Sequence, residues 1–226
     1  MFGTTLASTA AAALLFVASA PGAAAASAIE PRADTLQCGS PLVVSSITQL
    51  GASTGNKRPV AFQTAKDSKG RLQLSTSVNG VAASTSPTFE FVPCQSKFLH
   101  SGYHQYEQSP GLFTNFTYGL LRPSGHPDKC VTAASIAANG KNYPLVSAPC
   151  TTVDSVETLA PQWWSAYYNS THFSGMPYTI YFEGNDTLPG LWYFRNVASG
   201  KKRLVDVYYQ TKFNGTEPFT LSLTGP

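Results

Sequence analysis

Four cysteines are the residues of this chain whose type and spacing most directly indicate chemistry. No two of them form the C-x-x-C spacing that structural zinc sites use, so we expect no metal site. An even number of cysteines predicts disulfides when a chain enters an oxidising compartment. Three pairings are possible, and bonding between sequence neighbours closes the shortest loops. We therefore expect two bridges, Cys38–Cys94 and Cys130–Cys150.

The amino-terminal segment has the composition of a secretory signal peptide. Its apolar run, Leu6–Ala20, is shorter than the ~20 residues that a transmembrane helix needs. Small residues follow at Ala24, Ala26 and Ala28, which gives the A-x-A pattern that precedes signal cleavage. We predict a signal peptide over residues 1–28, a secreted extracellular product and no membrane insertion. The alternative is a buried, alanine-rich core helix.

Side chains able to act in catalysis are present, but none lies in a recognisable catalytic motif. The chain has 12 acidic residues and lacks the G-x-S-x-G pattern of a serine nucleophile. His100 and His104 would share a face of a helix, but Gly102 and the β-prone residues around them argue against a helix. We predict that the protein is not an enzyme and needs no cofactor.

The charge pattern of the chain argues against a nucleic-acid partner, and its sequons predict N-glycosylation. Charged residues make up 12% of the sequence, the formal net charge is +3, and the basic residues are scattered. A nucleic-acid partner would require a dense basic face. N-glycosylation occurs on secreted chains, so the predicted secretion makes the four N-x-S/T sequons relevant. They predict exposed N-glycosylation sites at Asn115, Asn169, Asn185 and Asn214.

The composition of the chain predicts that β-strands position the cysteines and the other candidate residues. Twelve short runs rich in Val, Leu, Phe, Tyr and Thr recur between clusters of Gly, Pro, Asn and Ser. Asn-Gly favours hairpin turns because both residues tolerate positive φ, and it separates such runs at Asn79-Gly80, Asn139-Gly140 and Asn214-Gly215. Residues 101–117 read as a loop. We predict an all-β fold with one domain over residues 35–226.

One stretch, Gly119 to Tyr168, combines several spaced features in the order C, G, C, Q-x-W: Cys130, Asn139-Gly140, Cys150 and Gln162-Trp163-Trp164. This order resembles one repeat of the ricin B-like lectin family. In that family three repeats build a β-trefoil, the two cysteines of a repeat form a disulfide, and the Trp of Q-x-W packs in the core. The resemblance implies a β-trefoil of about twelve strands in three repeats. It also implies structural roles for Gln162, Trp164 and Gly140.

Sugar sites in this family use an Asp two residues after the first cysteine and an aromatic ring two residues before the second. Here these positions hold Thr132 and Ala148. Thr132 retains a hydroxyl, whereas Ala148 has no ring to stack on a sugar. This repeat therefore keeps the framework and has lost most of the binding groups.

A second candidate site lies in the carboxy-terminal part of the chain. Asp206 falls at the position of the family's Asp if Leu204 takes the place of the first cysteine. Tyr208 shares a strand face with Asp206 because strand side chains alternate. The resemblance thus implies three carbohydrate-binding candidates, Asp206, Tyr208 and Thr132. The alternative is that Asp206 is an exposed strand residue that pairs with Lys201 or Lys202.

We therefore expect a secreted glycoprotein that acts as a carbohydrate-binding or interaction module, with glycans or a secreted or host protein as partner. The alternative is a trefoil protease inhibitor or another protein-binding secreted factor. Kunitz-type inhibitors have a similar length, a β-trefoil and two disulfides. Family membership alone does not decide between these functions, because function depends on the site.

Overall fold

The computed structural model describes residues 34–51, 57–78, 81–82, 87–99, 103–109, 112–137, 140–169, 178–185, 188–199, 202–211 and 219–223. The predicted signal peptide, residues 1–28, lies outside these ranges. The described residues all belong to one compact unit, Ala33–Pro226. They form strands with a single short α-helix, which confirms the predicted all-β fold. None of the helices in the described ranges has the length and apolar character to cross a membrane.

Seventeen strands lie in the described part of the chain: β1 (Asp34–Thr35), β2 (Gln37–Cys38), β3 (Val43–Gly51), β4 (Lys57–Lys66), β5 (Leu72–Val78), β6 (Val81–Ala82), β7 (Thr88–Gln95), β8 (Tyr103–Ser109), β9 (Leu112–Pro123), β10 (Lys129–Ala133), β11 (Asn142–Pro149), β12 (Val153–Asp154), β13 (Trp164–Asn169), β14 (Tyr178–Phe182), β15 (Leu191–Ser199), β16 (Lys202–Gln210) and β17 (Phe219–Leu223). Helix α1 (Val156–Leu159) and a 3-10 turn (Ala160–Gln162) precede β13. The Ser155 side chain caps α1 by accepting a hydrogen bond from the Thr158 N–H.

Six of these strands close into an antiparallel barrel in the order β3, β7, β9, β13, β14, β17 and back to β3. Closure leaves no free edge in this part of the sheet. The interior is filled by apolar side chains, as expected for a small barrel. Each barrel strand contributes at least one fully buried residue, namely Ile47, Phe91, Leu121, Trp164, Ile180 and Leu221.

Three hairpins, β4–β5, β10–β11 and β15–β16, each lie in the chain between two barrel strands. The second strands of these hairpins, β5, β11 and β16, pair with one another. Apolar residues of the hairpins, including Leu74, Leu145 and Val205, belong to the same buried cluster as the barrel interior. The hairpins and the barrel therefore share one core.

All twelve runs predicted as strands coincide with strands, six in the barrel and six in the hairpins. Residues 79–80 lie outside the described ranges, but Val78 pairs with Val81 across them, as a two-residue hairpin requires. Gly140 has a φ of 69°, in the left-handed region that the Asn-Gly turn was expected to use. Asn214-Gly215 lies outside the described ranges, and β17 after it pairs with β14 and β3.

The prediction of a loop over residues 101–117 is wrong. Strand β8 lies within this segment and pairs with the first half of β9. The polar residues Gln105, Glu107 and Gln108 interrupt the apolar alternation, so the segment did not read as a strand. Pairing with β9 overrides the weak local signal.

The two disulfides join the pairs predicted from the sequence, Cys38–Cys94 and Cys130–Cys150. Cys38 and Cys94 are register partners on β2 and β7, so their bridge attaches the first strands to the barrel. The second bridge joins the start of β10 to the end of β11 and closes that hairpin at its base. On the loop-entropy model each closure contributes about 3 to 4 kcal/mol.

Candidate functional site

The segment that carries the Q-x-W resemblance uses its side chains to hold the framework. The Gln162 amide donates to the Pro149 carbonyl at 2.8 Å and accepts from the Thr151 N–H at 2.9 Å, which fixes the chain on both sides of Cys150. Trp164 is fully buried, and its indole N–H donates to the Val131 carbonyl at 3.0 Å. Both residues thus satisfy buried polar groups while they join β10 and β11 to the barrel.

A glycine is required where β9 crosses between β7 and β13. Gly119 is the register partner of both Pro93 and Trp164. A Cβ atom at this position would lie 2.0 Å from the Val92 carbonyl oxygen. The close approach of the strands around Trp164 therefore depends on the missing side chain.

Thr132, the sugar-binding candidate in the same repeat, is buried, and its hydroxyl lies 3.2 Å from the Cys130 carbonyl, to which it donates. Its donor is thus used within its own strand. Ala148, at the expected place of the stacking ring, is the register partner of Cys130. Thr132 and Ala148 therefore have a structural role, because neither presents a free hydrogen-bonding group or a ring to a ligand.

Asp206 lies in the middle of β16 with only 5% of its surface exposed. Val205 and Val207 point into the main core, so Asp206 shares the opposite face with Leu204 and Tyr208, as strand alternation predicts. The alternative of an exposed strand residue does not fit this burial. The Oδ1 atom of Asp206 is buried and has no hydrogen-bond partner among the described residues.

Burial raises the pKa of the Asp206 carboxyl from 3.8 to about 6. The cause is desolvation, which disfavours the charged form. At neutral pH the carboxylate is ionised, and the fold bears the free-energy cost of holding that charge away from water. As pH rises well above 6, the loss of stability approaches about 2 kcal/mol, because partial exposure of the carboxyl to solvent reduces the full cost of the shift.

An arginine and two tyrosines surround Asp206 on this face. Arg195 on β15 is the direct register partner of Asp206, and Pro144 on β11 is its partner on the other side. The Arg195 guanidinium carbon lies 4.1 Å from the centroid of the Tyr208 ring. The Tyr193 and Tyr208 ring centroids are 5.7 Å apart. We refer to Tyr193, Arg195, Asp206 and Tyr208 as the β16 cluster.

The β16 cluster combines the chemical groups that a polyhydroxylated ligand requires. An unpaired carboxylate oxygen accepts hydrogen bonds from hydroxyls, and a guanidinium donates hydrogen bonds to ring or hydroxyl oxygens. Tyr193 and Tyr208 are buried, and their rings supply the apolar surface of the cluster. Arg195 and Tyr193 were not among the residues singled out from the sequence.

The structure brings Asp206 and Tyr208 together but keeps Thr132 apart from them. Thr132 pairs with Val146 on one side of β11, and Asp206 pairs with Pro144 on its other side. Two strand spacings, about 10 Å, therefore separate them. Thr132 also lies on the first strand of its hairpin and Asp206 on the second strand, so they do not occupy corresponding positions.

A cleft of about 300 Å³ lies beside the Cys38–Cys94 bridge, where β2, β7 and β9 meet. Its lining is mostly apolar and includes Pro93, both cysteines and the side chains of Gln37 and Gln95. No group of three metal-ligating side chains occurs among the residues that the structure describes. The cleft therefore offers a cavity but lacks the charged chemistry of the β16 cluster.

The predicted glycosylation sites lie in different parts of the fold. Asn115 is in β9 and Asn169 ends β13, while Asn185 follows β14 and is half-buried. Asn214 lies outside the described residues. Their glycosylation remains a prediction.

The β16 cluster is thus the candidate site that the contacts favour, and the Q-x-W segment is framework. No protein-family model, no curated protein and no solved structure matches the chain.

Proposed function

We propose that this chain is a secreted glycoprotein with a ricin B-like β-trefoil fold that binds carbohydrate through the β16 cluster. Support for the trefoil comes from the six-stranded barrel and from three hairpins whose second strands pair with one another. Three four-stranded repeats, β3-β4-β5-β7, β9-β10-β11-β13 and β14-β15-β16-β17, account for these twelve strands. The contacts of Gln162 and Trp164 support the family resemblance.

The observation that carries the proposal is the buried Oδ1 atom of Asp206, which has no hydrogen-bond partner among the described residues. An apolar side chain at this position would fold more stably, because a buried charge without a partner is unfavourable. Departures of this kind from the most stable choice concentrate at functional sites. A saccharide hydroxyl would supply the missing hydrogen bond, with Tyr208 and Tyr193 against the apolar face of the sugar.

In this proposal residues 1–28 direct secretion, and the four sequons carry glycans on the extracellular protein. The protein acts as a binding module, without a catalytic group or a cofactor. Thr132 contributes to the framework of the second repeat and lies too far from Asp206 to contact the same monosaccharide.

A glycan array tests the proposal with the secreted wild-type protein and the variants Asp206→Asn, Tyr208→Ala and Asp128→Asn. Asp128 is a matched control because its side chain is 69% exposed and contacts Lys129 only as a 3.5 Å ion pair. Asp206→Asn removes the charge from the proposed hydrogen bond and Tyr208→Ala removes the stacking ring, and each loss predicts roughly a tenfold or larger fall in affinity. The control should bind like the wild type. Absence of binding by the wild type, or equal binding by all variants, would overturn the proposal.

A further inference from the structure

Arg195 lies directly opposite a buried, unpaired carboxylate and yet rests on an aromatic ring. The direct register partners of Asp206 are Arg195 on β15 and Pro144 on β11. The residues next to them on this face are those paired with its neighbours Tyr208 and Leu204, namely Tyr193 on β15, Asn142 on β11 and Ser75 on β5. Arg195 is the one permanent charge in this set. Its guanidinium lies over Tyr208, and desolvation is the cause that sets the pKa of Asp206.

The Asp206 carboxylate is within reach of the Arg195 side chain. Direct cross-strand partners place their Cβ atoms about 4.5 to 5.5 Å apart, which is short compared with the length of an arginine. Arg195 is exposed, so no packing against the core holds its guanidinium in place. A change of side-chain rotamer alone would carry it from the ring to the carboxylate.

The protonation state of Asp206 decides which of the two positions is more favourable. A neutral carboxyl group attracts a guanidinium weakly, so the face of the Tyr208 ring is the better place for the cation. An ionised carboxylate in a buried position attracts the same cation strongly and gains the hydrogen bonds that it lacks. The two arrangements therefore exchange their order of stability when Asp206 titrates.

We propose that Arg195 is a two-position switch that lies on the Tyr208 ring while Asp206 is protonated and moves onto the carboxylate when Asp206 ionises. Movement of the guanidinium uncovers the Tyr208 ring and leaves an Asp206–Arg195 pair beside it. The consequence for ligands rests on the proposed function: a saccharide binds at neutral pH, where the ring is open and the carboxylate, with about four acceptor sites, accepts from a hydroxyl as well as from Arg195. It is released in acid, where Arg195 covers the ring again. The movement itself requires no ligand.

Solution NMR of the folded protein without ligand tests the switch. The ¹³C shift of the Asp206 carboxyl and the shifts of the Tyr208 ring are followed from pH 8 to pH 4 in the wild type, Arg195→Gln, Asp206→Asn and Arg203→Gln. Arg203 is a matched control because it is an exposed arginine on β16 at the opposite strand parity. Since Arg195 is exposed, its replacement should leave the fold intact.

In the wild type we expect the Tyr208 ring shifts to titrate with the same midpoint as Asp206. Pairing with the guanidinium stabilises the ionised form, so the midpoint of Asp206 should rise by about one pH unit in Arg195→Gln. The ring response should vanish in Asp206→Asn, shrink strongly in Arg195→Gln and persist in Arg203→Gln.

Two results would overturn the switch. One is an equal titration midpoint of Asp206 in the wild type and in Arg195→Gln. The other is that the Tyr208 ring shifts of the wild type do not change as Asp206 titrates. Its failure is distinct from failure of the proposed function. A coupled titration in a protein that binds no glycan at any pH would uphold the switch and refute carbohydrate binding. Glycan binding without the coupled titration would uphold carbohydrate binding and refute the switch.

Discussion

Two buried aspartates occupy opposite kinds of environment in this protein. Asp154, on β12, is 3% exposed and accepts hydrogen bonds from the Ser96 hydroxyl at 2.6 Å and the Lys97 N–H at 2.8 Å. Asp206, on β16, is 5% exposed, and its Oδ1 has no partner in the described residues. The first carboxylate holds the segment after Cys94 to β12. The second stabilises nothing that the structure describes, which is why we assign it to binding.

The same contrast separates the two regions around these residues. The segment from Pro149 to Trp164 contains Gln162 and Trp164, whose polar groups bond to backbone of neighbouring strands. The β16 cluster contains a carboxylate without a partner and a cation on a ring. Within the described chain the motif also holds one unsatisfied group, the buried Trp163 indole N–H, but Asp206 Oδ1 is the unsatisfied atom that belongs to a carboxylate. The family-like motif therefore identifies framework, and the buried carboxylate oxygen that lacks a partner in that part of the chain identifies the candidate site. Four substitutions test this division.

The largest effect is expected for Trp164→Ala in the framework region. The indole is fully buried against Phe182 and Phe194, and its removal leaves a cavity and an unpaired Val131 carbonyl. The free energy of unfolding should fall by about 3 to 5 kcal/mol, measured by chemical denaturation. Leu191→Ala is a control, since Leu191 is 63% exposed and should change stability little. Equal effects for the two variants would contradict the assigned core.

Asp206→Asn should stabilise the protein at alkaline pH. The folded-state pKa of Asp206 lies above the unfolded value of 3.8. Below pH 3.8 the carboxyl is protonated in both states and costs no stability. The free energy of unfolding falls as the carboxyl ionises with pH rising through about 6. Removal of the charge should therefore raise the free energy of unfolding at pH 8 by about 2 kcal/mol, less than the full shift implies because the carboxyl is partly open to solvent, and change it little near pH 4. Denaturation curves at several pH values measure both quantities. Destabilisation at pH 8 in both the wild-type and the Arg195→Gln background would show that the carboxylate has a partner other than Arg195.

Asp154→Asn should act in the opposite direction. An amide cannot accept from both Ser96 and Lys97 in the geometry that the carboxylate uses. Loss of one charge-assisted hydrogen bond in a buried site should lower stability by about 2 kcal/mol. The same denaturation assay at pH 8 gives the comparison directly. If Asn at position 154 and Asn at position 206 shifted stability in the same direction, the division between the two carboxylates would fail.

The smallest effect is expected for Thr132→Val. The replacement keeps the branched shape and removes a hydroxyl that bonds only to the Cys130 carbonyl in its own strand. Stability should change by about 1 kcal/mol or less, and glycan binding should stay at the wild-type level. A marked loss of binding on a glycan array would show that Thr132 takes part in carbohydrate binding.

The strands could be predicted from the sequence because their signals are local. The run around β16 alternates Val205 and Val207, which face the core, with residues of the opposite face. Gly140 marks the turn between β10 and β11, where a positive φ is needed. Strand β8 was missed because its residues are polar, and its pairing with β9 supplies what its sequence lacks.

The position of Arg195 opposite Asp206 was in principle available from the sequence. Ser199 pairs with Lys202, and that register, continued along both strands, places Arg195 against Asp206. The Ser-Gly-Lys sequence after Ala198 was the signal to use. The burial of Asp206 was not available, because it depends on pairing of β16 with β11 and β5, which are distant in the chain.

The pKa of the Asp206 carboxyl, measured site by site with ¹³C NMR on the folded protein, tests the central claim most directly. An unpaired carboxylate in a desolvated position predicts a midpoint clearly above 3.8 and as high as about 6. A midpoint at or below 3.8 would mean that Asp206 is open to water or already has its partners. The reason for assigning the β16 cluster to binding would then be gone.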